Sequence, residues 1–230
     1  MNDETLPRQL PLALVHGEGR SRDDLVITEA NEQAVALIDS WPDWPAPVMI
    51  LAGPPGSGKS HLAEIWCEES GAFRVRHDRI GQEAIDAASE GPVLVEDADS
   101  PGLDETGLFH LINMVKSSGT QLLLTARKFA GAWGVELPDL ASRLRAAATV
   151  EIHEPDDHLL AGVIVKLFAD RQVVVEPHVV QFLVRRAERS LSSMRELVAL
   201  IDQMAMERKA KITRTLAAEA AAILEQRRSG

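Results

Sequence analysis

The chain has 230 residues, 45% of them hydrophobic, which allows one large domain or two small domains with a substantial core. Its formal net charge of −11 at pH 7 argues against broad nucleic-acid binding through a basic face. The single cysteine, Cys67, excludes an internal disulfide and fits a reducing cytosol. No apolar run reaches membrane-spanning length and the N-terminus lacks a signal-peptide core, so we expect a cytoplasmic protein.

The first 20 residues are polar apart from one apolar island, Gln9-Leu10-Pro11-Leu12-Ala13-Leu14, and this composition predicts a mobile tail. The island has two interpretations. It is either a first edge strand that docks on the core or a linear peptide for a pocket on a partner. In an extended peptide Leu12 and Leu14 point the same way, which suits such a pocket.

A helix is predicted over residues 32–40, and a proline-rich segment breaks it before an apolar strand over 47–52. The next residues, Gly53-Pro54-Pro55-Gly56-Ser57-Gly58-Lys59-Ser60, fit the phosphate-binding pattern G-x-x-x-x-G-K-[ST], and helical apolar spacing resumes at His61. Strand, glycine loop and helix together predict a nucleotide site, because loop amides and a helix N-terminus attract phosphate. We expect Lys59 to reach the β- and γ-phosphates and the Ser60 hydroxyl to ligate Mg²⁺.

After a second strand around residues 73–75 and a helix over 80–89, an apolar strand over 92–99 ends in acids. P-loop folds need carboxylates at this position, because one belongs to the Mg²⁺ shell and another can orient the attacking water. Glu96 and Asp97 are the candidates, and the sequence leaves open which of them serves Mg²⁺. The alternative, acids that merely close a strand, is disfavoured by the P-loop upstream.

Four more elements are predicted between residues 105 and 152, where strands and helices continue to alternate. They are a helix over residues 105–118, a buried strand over 120–125, a short helix over 137–145 and a strand over 150–152. Thr125, at the end of its strand, is placed to sense a γ-phosphate. The short helix carries two arginines, Arg143 and Arg145.

The pattern changes near Pro155, because only helices are predicted beyond it. Residues 1–155 carry 12 Lys and Arg against 25 Asp and Glu, whereas residues 156–230 carry 12 against 10. Alternating strands and helices followed by helices alone predict a parallel α/β sheet and then a small α-helical lid. We therefore expect a tail over 1–20, a nucleotide-binding domain over 21–155 and a lid over 156–230. In the lid, Ser193 and Glu196 predict a capping box that opens a helix.

Over residues 22–226 these segments resemble the DnaA branch of the AAA+ family. The resemblance rests on the P-loop with His61-Leu62, the acidic strand end at 93–98, the helix segment 108–113, the strand 121–125, the arginine-bearing segment 137–144 and Met194-Arg195-Glu196-Leu197. It implies a P-loop AAA+ parallel sheet flanked by helices and followed by the lid. It also implies an arginine finger at Arg143, with Arg145 as the competing candidate, and a nucleotide contact from Arg195.

Within that branch, the chain resembles the Hda family of regulatory inactivators of DnaA. The island is similar to the peptide that docks on the sliding clamp, and we expect no helix-turn-helix DNA-binding domain of the kind that DnaA carries after its AAA+ module. The resemblance implies bound ADP or ATP with Mg²⁺, and partners that are DnaA and the β subunit sliding clamp of DNA polymerase III. The clamp contacts would come from Gln9, Leu10, Pro11, Leu12 and Leu14. It further implies a position at the nucleoid through the clamp, no specific DNA binding, no membrane contact and possible homo-oligomers.

Two departures from the DnaA pattern affect the expected chemistry. Glu96 precedes Asp97 where the family places Asp first, and Ala126-Arg127 stand where DnaA has Ser-Asp. Both predict weak or absent intrinsic ATP hydrolysis, which an ADP-bound regulator tolerates. The alternatives are a self-sufficient P-loop ATPase, such as a helicase loader, and a nucleotide-free adaptor. The intact Lys59 and Ser60 count against the adaptor.

Overall fold

A computed structural model of the chain describes residues 22, 25–186 and 188–229. The residues expected to bind the clamp, Gln9, Leu10, Pro11, Leu12 and Leu14, lie outside the described residues. In the described part, strands and helices alternate up to Glu151, and only helices follow. None of these helices combines the length and the hydropathy that a membrane crossing requires.

The elements fall close to the predicted segments. The strands are β1 (Val48–Ala52), β2 (Phe73–Arg76), β3 (Val93–Glu96), β4 (Leu122–Ala126) and β5 (Ala148–Glu151). The helices up to the last strand are α1 (Glu32–Asp39), α2 (Lys59–Ser70), α3 (Gln82–Glu90), α4 (Glu105–Ser118) and α5 (Pro138–Arg145). The helices after it are α6 (Asp157–Asp170), α7 (Pro177–Arg186), α8 (Leu191–Arg208) and α9 (Arg214–Ser229).

The strands form one parallel sheet with the order β2-β3-β4-β1-β5. Every residue of β1 and β4 is buried, because helices cover both faces of the sheet. This is why both strands are unbroken apolar runs in the sequence instead of alternating patterns. The predicted α/β class, with a parallel sheet flanked by helices and followed by further helices, is confirmed.

Alternate residues of each strand belong to two different cores. Ile50 of β1 packs in a cluster with Leu111 of α4 and with residues of α3 and α5. Its neighbour Leu51 packs in a second cluster with α1 and α2, whose centre is the fully buried Trp66. Trp44 stacks on Trp66 with ring centroids 5.0 Å apart. The sheet is thus held between two helical layers.

The last four helices share a separate core built around Phe168 of α6 and Met194 of α8. Val26 and Ala30, from the segment before α1, pack into the same core. That segment therefore lies between the sheet and the C-terminal helices. Its backbone is held by Asn31, a buried residue whose amide donates to Val26 O over 2.9 Å.

The predicted capping box of α8 was wrong in its register. Helix α8 begins at Leu191, and its N-cap is Ser190, whose hydroxyl accepts a hydrogen bond from the Ser193 amide. Ser193 lies inside the helix, and its hydroxyl donates to Glu188 Oε2 over 2.8 Å. Both serines suit an N-cap, and the contact of Ser190 and Leu191 with Gly56 places the helix start at the earlier one.

Candidate nucleotide-binding site

The predicted phosphate-binding residues lie at the carboxyl edge of the sheet. Strand β4 lies between β1, which leads into the P-loop, and β3, which ends in the acids. The loop of residues 53–58, the acids after β3 and the polar end of β4 therefore meet at adjacent strand ends. In open parallel sheets this edge is where ligands bind.

The P-loop turns sharply at two glycines in the left-handed region, Gly56 with φ of 73° and Gly58 with φ of 110°. Helix α2 begins directly after it, at Lys59. The loop amides and the first amides of a helix of this length form an anion-binding concavity with the positive end of the helix dipole. The local geometry is therefore that of a phosphate cradle.

Lys59 is the cation of this cradle, and it is only 7% exposed. Its Nζ donates to Gly53 O and to Pro54 O, each over 2.8 Å, so the side chain folds back over its own loop. Burial lowers the pKa of Lys59, and the carboxylates of Asp97 and Asp99 oppose this effect. A phosphate bound in the loop would add a strong anionic partner to this amine.

Ser57 supplies a direct test of whether the loop suits a ligand. Its hydroxyl oxygen is buried and finds no hydrogen-bond partner among the described residues. A buried polar atom without a partner is costly in the free protein, and a ligand with oxygen acceptors relieves the cost. Together with the glycine cradle and Lys59, this atom fits a nucleoside phosphate. His61, the third residue of α2, is buried, and Ser60, the second residue, is exposed.

The acids occupy two different positions. Glu96, the last residue of β3, is half-buried and shares a strand face with Leu94, which packs against the α2 side of the sheet. Asp97 is exposed and adopts a left-handed conformation with φ of 51°. Its carboxylate opposes the effect of burial, which lowers the pKa of Lys59. The Ser60 hydroxyl and these two carboxylates are oxygen donors, the type that Mg²⁺ prefers beside a phosphate.

Thr125 fixes the turn that presents Asp97. Its buried hydroxyl accepts the Asp97 amide over 3.0 Å, and its carbonyl accepts the Ala98 amide over 2.8 Å. The side chain predicted to sense a γ-phosphate therefore also locks the acidic turn. The hydroxyl retains its own proton for a further acceptor.

Arg143 lies on α5, at the edge of the sheet domain. Its guanidinium carbon is 4.8 Å from the centre of the Phe109 ring of α4, and its Nε is buried without a hydrogen-bond partner among the described residues. Arg145, two residues on, is exposed. The contact between Arg143 and Phe109 is not predictable from local sequence patterns, although both residues lie in segments that resemble DnaA.

A second contact from α4 holds the start of α5. The carboxylate of Glu105 accepts the amides of Glu136 and Leu137, with a shortest distance of 2.7 Å to Leu137 N. Glu105 and Phe109 are four residues apart and share one face of α4. Helix α4 therefore positions both the beginning of α5 and its arginine. No local pattern in the sequence indicates this role for Glu105.

The C-terminal helices touch the P-loop directly. The Leu191 amide, at the start of α8, donates to Gly56 O over 2.8 Å, and the Leu191 side chain packs over Gly58. Arg195 lies one turn further along α8 and is half-exposed. The helix that carries Arg195 thus begins on the phosphate loop.

These observations define a P-loop nucleotide-binding protein of the α/β class. The chain belongs to the AAA domain family, whose model matches residues 48–228. An uncharacterized protein of Haemophilus influenzae is 26% identical over 223 residues, which cover 90% of this chain and 95% of that protein.

Solved structures of two kinds share the fold. Domain III of the replication initiation protein DnaA from Thermotoga maritima matches with a TM-score of 0.73 and 14% identity, over 87% of this chain and 95% of that chain. AMPPCP-bound DnaA from Aquifex aeolicus matches with a TM-score of 0.69 and 18% identity, over 80% of this chain and 65% of that chain. The RuvB Holliday junction branch migration motor of Thermotoga maritima matches with a TM-score of 0.70 and 18% identity, over 89% of this chain and 72% of that chain. At these identities the likeness concerns the fold alone.

Proposed function

We propose that this protein regulates the initiation of chromosome replication by promoting hydrolysis of ATP bound to a DnaA protein, while it is docked on the sliding clamp. The motif resemblance and the likeness to DnaA domain III support a partner of the same fold. AAA domains that share a fold can pair so that an arginine of one subunit reaches the nucleotide of the next. The main support for the proposal is the environment of the Arg143 side chain.

The guanidinium of Arg143 contacts an aromatic ring, and no carboxylate among the described residues neutralises its charge. Its guanidinium carbon lies over the Phe109 ring, 4.8 Å from the ring centre. A surface arginine in a structural ion pair would instead show a nearby acid. Stacking on an aromatic ring fixes the direction of a guanidinium and leaves its donors for an outside acceptor. A γ-phosphate on a neighbouring subunit is such an acceptor.

The chemistry would take place in the partner. As the γ-phosphoryl group of DnaA-bound ATP separates, negative charge grows on its oxygens, and a positioned arginine stabilises that charge. Such a finger typically contributes a factor of about 10³–10⁵ in rate. This chain would itself hold ADP or ATP through the P-loop, Lys59 and Arg195. Ser60 and either Glu96 or Asp97 would ligate Mg²⁺. The nucleotide bound to this chain would mainly support assembly with DnaA and would be hydrolysed slowly or not at all.

Clamp binding is proposed from sequence alone. The peptide Gln9-Leu10-Pro11-Leu12-Ala13-Leu14 lies outside the described residues, and its support is its similarity to clamp-docking peptides. Replacing Gln9, Leu12 and Leu14 by alanine should abolish clamp binding and leave nucleotide binding intact. Loss of both properties together would favour the edge-strand interpretation instead.

The deciding experiment compares Arg143→Ala with Arg145→Ala. Each variant is mixed with ATP-loaded DnaA and DNA-loaded clamp, and ADP production is followed. We expect Arg143→Ala to lose stimulation by a factor of about 10³ or more, with unchanged affinity for its own nucleotide. If only Arg145→Ala loses stimulation, the arginine finger is Arg145 and not Arg143. Full stimulation by both variants would refute the trans-acting mechanism.

A self-sufficient ATPase is the second candidate. The acidic turn locked by Thr125 beside Lys59, and the fold shared with a branch migration motor, favour it. Intrinsic ATP turnover that Asp97→Asn and Glu96→Gln abolish, without any DnaA present, would support this function. Release of tightly held ADP from the purified protein, detected by mass spectrometry, would support the regulator.

A further inference from the structure

The end of α9 is tied to the first turns of α8 by a cluster of charged and hydroxyl side chains with Arg228 at its centre. The guanidinium of Arg228 donates to Glu188 Oε2 over 2.5 Å, to Glu196 Oε2 over 2.9 Å and to Ser193 Oγ over 3.0 Å. The buried Ser193 hydroxyl in turn donates to the same oxygen of Glu188 over 2.8 Å. One arginine therefore binds two carboxylates that flank the start of α8.

These carboxylates lie close to the place where α8 meets the phosphate loop. The Leu191 amide donates to Gly56 O over 2.8 Å, and Ser190 lies against the same glycine. Glu188 precedes Leu191 by three residues and Glu196 follows it by five. Five residues of helix span about 7.5 Å along the axis. The cluster therefore surrounds the contact between α8 and the P-loop.

The charges of the cluster act on any anion in that loop. The start of a helix presents unpaired amides and the positive end of its dipole, which favour an anion. Helix α2 begins at the end of the loop and α8 begins against it. Two carboxylates within about 8 Å, the Debye length at physiological ionic strength, oppose this attraction. Both carboxylates form their ion pair with Arg228, which offsets part of their charge.

A second ion pair joins the same two helices far from the loop. Arg208, the last residue of α8, donates to the carboxylate of Glu219 on α9 over 2.6 Å and 2.7 Å. The side chains of Arg208 and Arg228 are similarly exposed, at 48% and 43%. The two arginines therefore make contacts of the same type at opposite ends of α8. This difference separates an effect on the nucleotide from an effect on helix packing.

We propose that Arg228 is an electrostatic positioning residue of the nucleotide site. By neutralising Glu188 and Glu196, it keeps the start of α8 favourable for the phosphates of a nucleotide in the P-loop, without a contact of its own to the nucleotide. The inference rests on the nucleotide-binding part of the proposed function and needs neither DnaA nor the clamp. Its consequence is that a residue at the end of α9 controls affinity at the P-loop, more strongly for a triphosphate than for a diphosphate.

The experiment measures the affinity of the full chain for ADP and for AMPPCP by calorimetry, at low and at high salt. Arg228→Ala is compared with Arg208→Ala, which removes the same charge at the far end of α8. We expect Arg228→Ala to lose about 3-fold to 10-fold in affinity at about 20 mM salt, more for AMPPCP than for ADP, and less than about 2-fold at about 500 mM salt. Arg208→Ala should stay within about 2-fold of the unmodified chain in every condition.

A rescue variant distinguishes a charge effect from a structural effect. Glu188→Gln and Glu196→Gln, added to Arg228→Ala, remove the uncompensated charges and keep the size of the side chains. Affinity should return at least to that of the unmodified chain, although the contacts of the arginine are still absent. A structural role would not allow this recovery, because glutamines cannot replace those contacts. Thermal unfolding of each nucleotide-free variant measures the structural contribution separately.

Two outcomes would overturn the inference. An Arg228→Ala variant with the affinities of Arg208→Ala would make the cluster an ordinary surface bridge. A loss that is independent of salt and that the two glutamines do not restore would make Arg228 a structural residue of the C-terminal helices. Failure of DnaA stimulation alone would count against the proposed function and leave this inference standing, whereas nucleotide binding that survives Lys59→Ala would remove the site on which both rest.

Discussion

The Leu191 amide donates to the carbonyl oxygen of Gly56 over 2.8 Å, and this hydrogen bond joins the first turn of α8 to the P-loop. Ser190, the N-cap of α8, lies against the same glycine. Loop and helix start therefore cannot move independently. We therefore expect a phosphate that reshapes the loop to shift the start of α8 and with it Arg195, which would couple the nucleotide state to the position of this helix.

Gly56→Ala should break this coupling. A Cβ at this position would overlap the Ser190 side chain, and the φ of 73° is one that L-residues rarely adopt. We expect α8 to be displaced from the loop and nucleotide affinity to fall by at least 10-fold. Calorimetric titration with ADP measures the affinity, and thermal unfolding reports the cost to the fold.

Gly71→Ala is the matched control. Gly71 has a similar φ of 67°, but no atom lies within 4 Å of a Cβ placed there. It should lose about 1–2 kcal/mol of stability from backbone strain and keep its affinity for ADP. If Gly56→Ala and Gly71→Ala have equal affinities for ADP, the contact with Ser190 does not control the site.

The fold could be predicted from the sequence because each of its elements has a local sequence pattern. The P-loop pattern, the apolar strands and the later helices each show within a short window, and their order defines a parallel sheet with following helices. The N-cap of α8 was missed because Ser190 and Ser193 are equivalent by local rules, and docking against Gly56 decides between them. The contact of Arg143 with Phe109 joins distant segments, so only the packing of α5 on α4 reveals it.

Lys59→Ala should affect nucleotide binding far more than stability. The amine is buried, which lowers its pKa, but it also donates to Gly53 O and Pro54 O, so its removal should cost the nucleotide-free protein no more than about 1–3 kcal/mol. The stabilisation by ADP, about 2.7 kcal/mol at a concentration 100 times Kd, should disappear. Thermal unfolding with and without ADP measures both effects. Lys128→Ala should retain the full ADP-induced shift, and an undiminished shift in Lys59→Ala would contradict the assigned role.

Cys67 should be unreactive in the folded protein. It is 8% exposed on α2, and burial raises its pKa to about 11 from the ordinary 9.0. The thiolate at pH 8 is then about 100-fold scarcer than in the unfolded chain, and modification by a thiol reagent should slow by at least that factor. A native rate equal to the rate in denaturant would contradict the burial.

The same shift gives a pH dependence with a defined sign. Between pH 9 and pH 11 the folded protein retains the thiol proton that the unfolded chain has lost. This contribution to the free energy of unfolding is therefore fully present below about pH 9 and is lost as the pH rises towards 11. Denaturant titrations across this range should show the fall, and Cys67→Ala should reduce its steepness.

Phe109 should be required for stimulation of a partner but not for nucleotide binding by its own chain. Its ring centre lies 4.8 Å from the guanidinium carbon of Arg143. Phe109→Leu keeps an apolar residue on α4 but removes the aromatic face, whose attraction for a cation is worth about 0.5–2 kcal/mol. A guanidinium that loses its direction contributes less in the transition state, so we expect at least a 10-fold loss of DnaA-bound ATP hydrolysis. Phe109→Trp should preserve most of the activity, since a larger ring still offers a stacking face. Equal activity of the leucine and tryptophan variants would show that bulk, and not the aromatic face, positions Arg143.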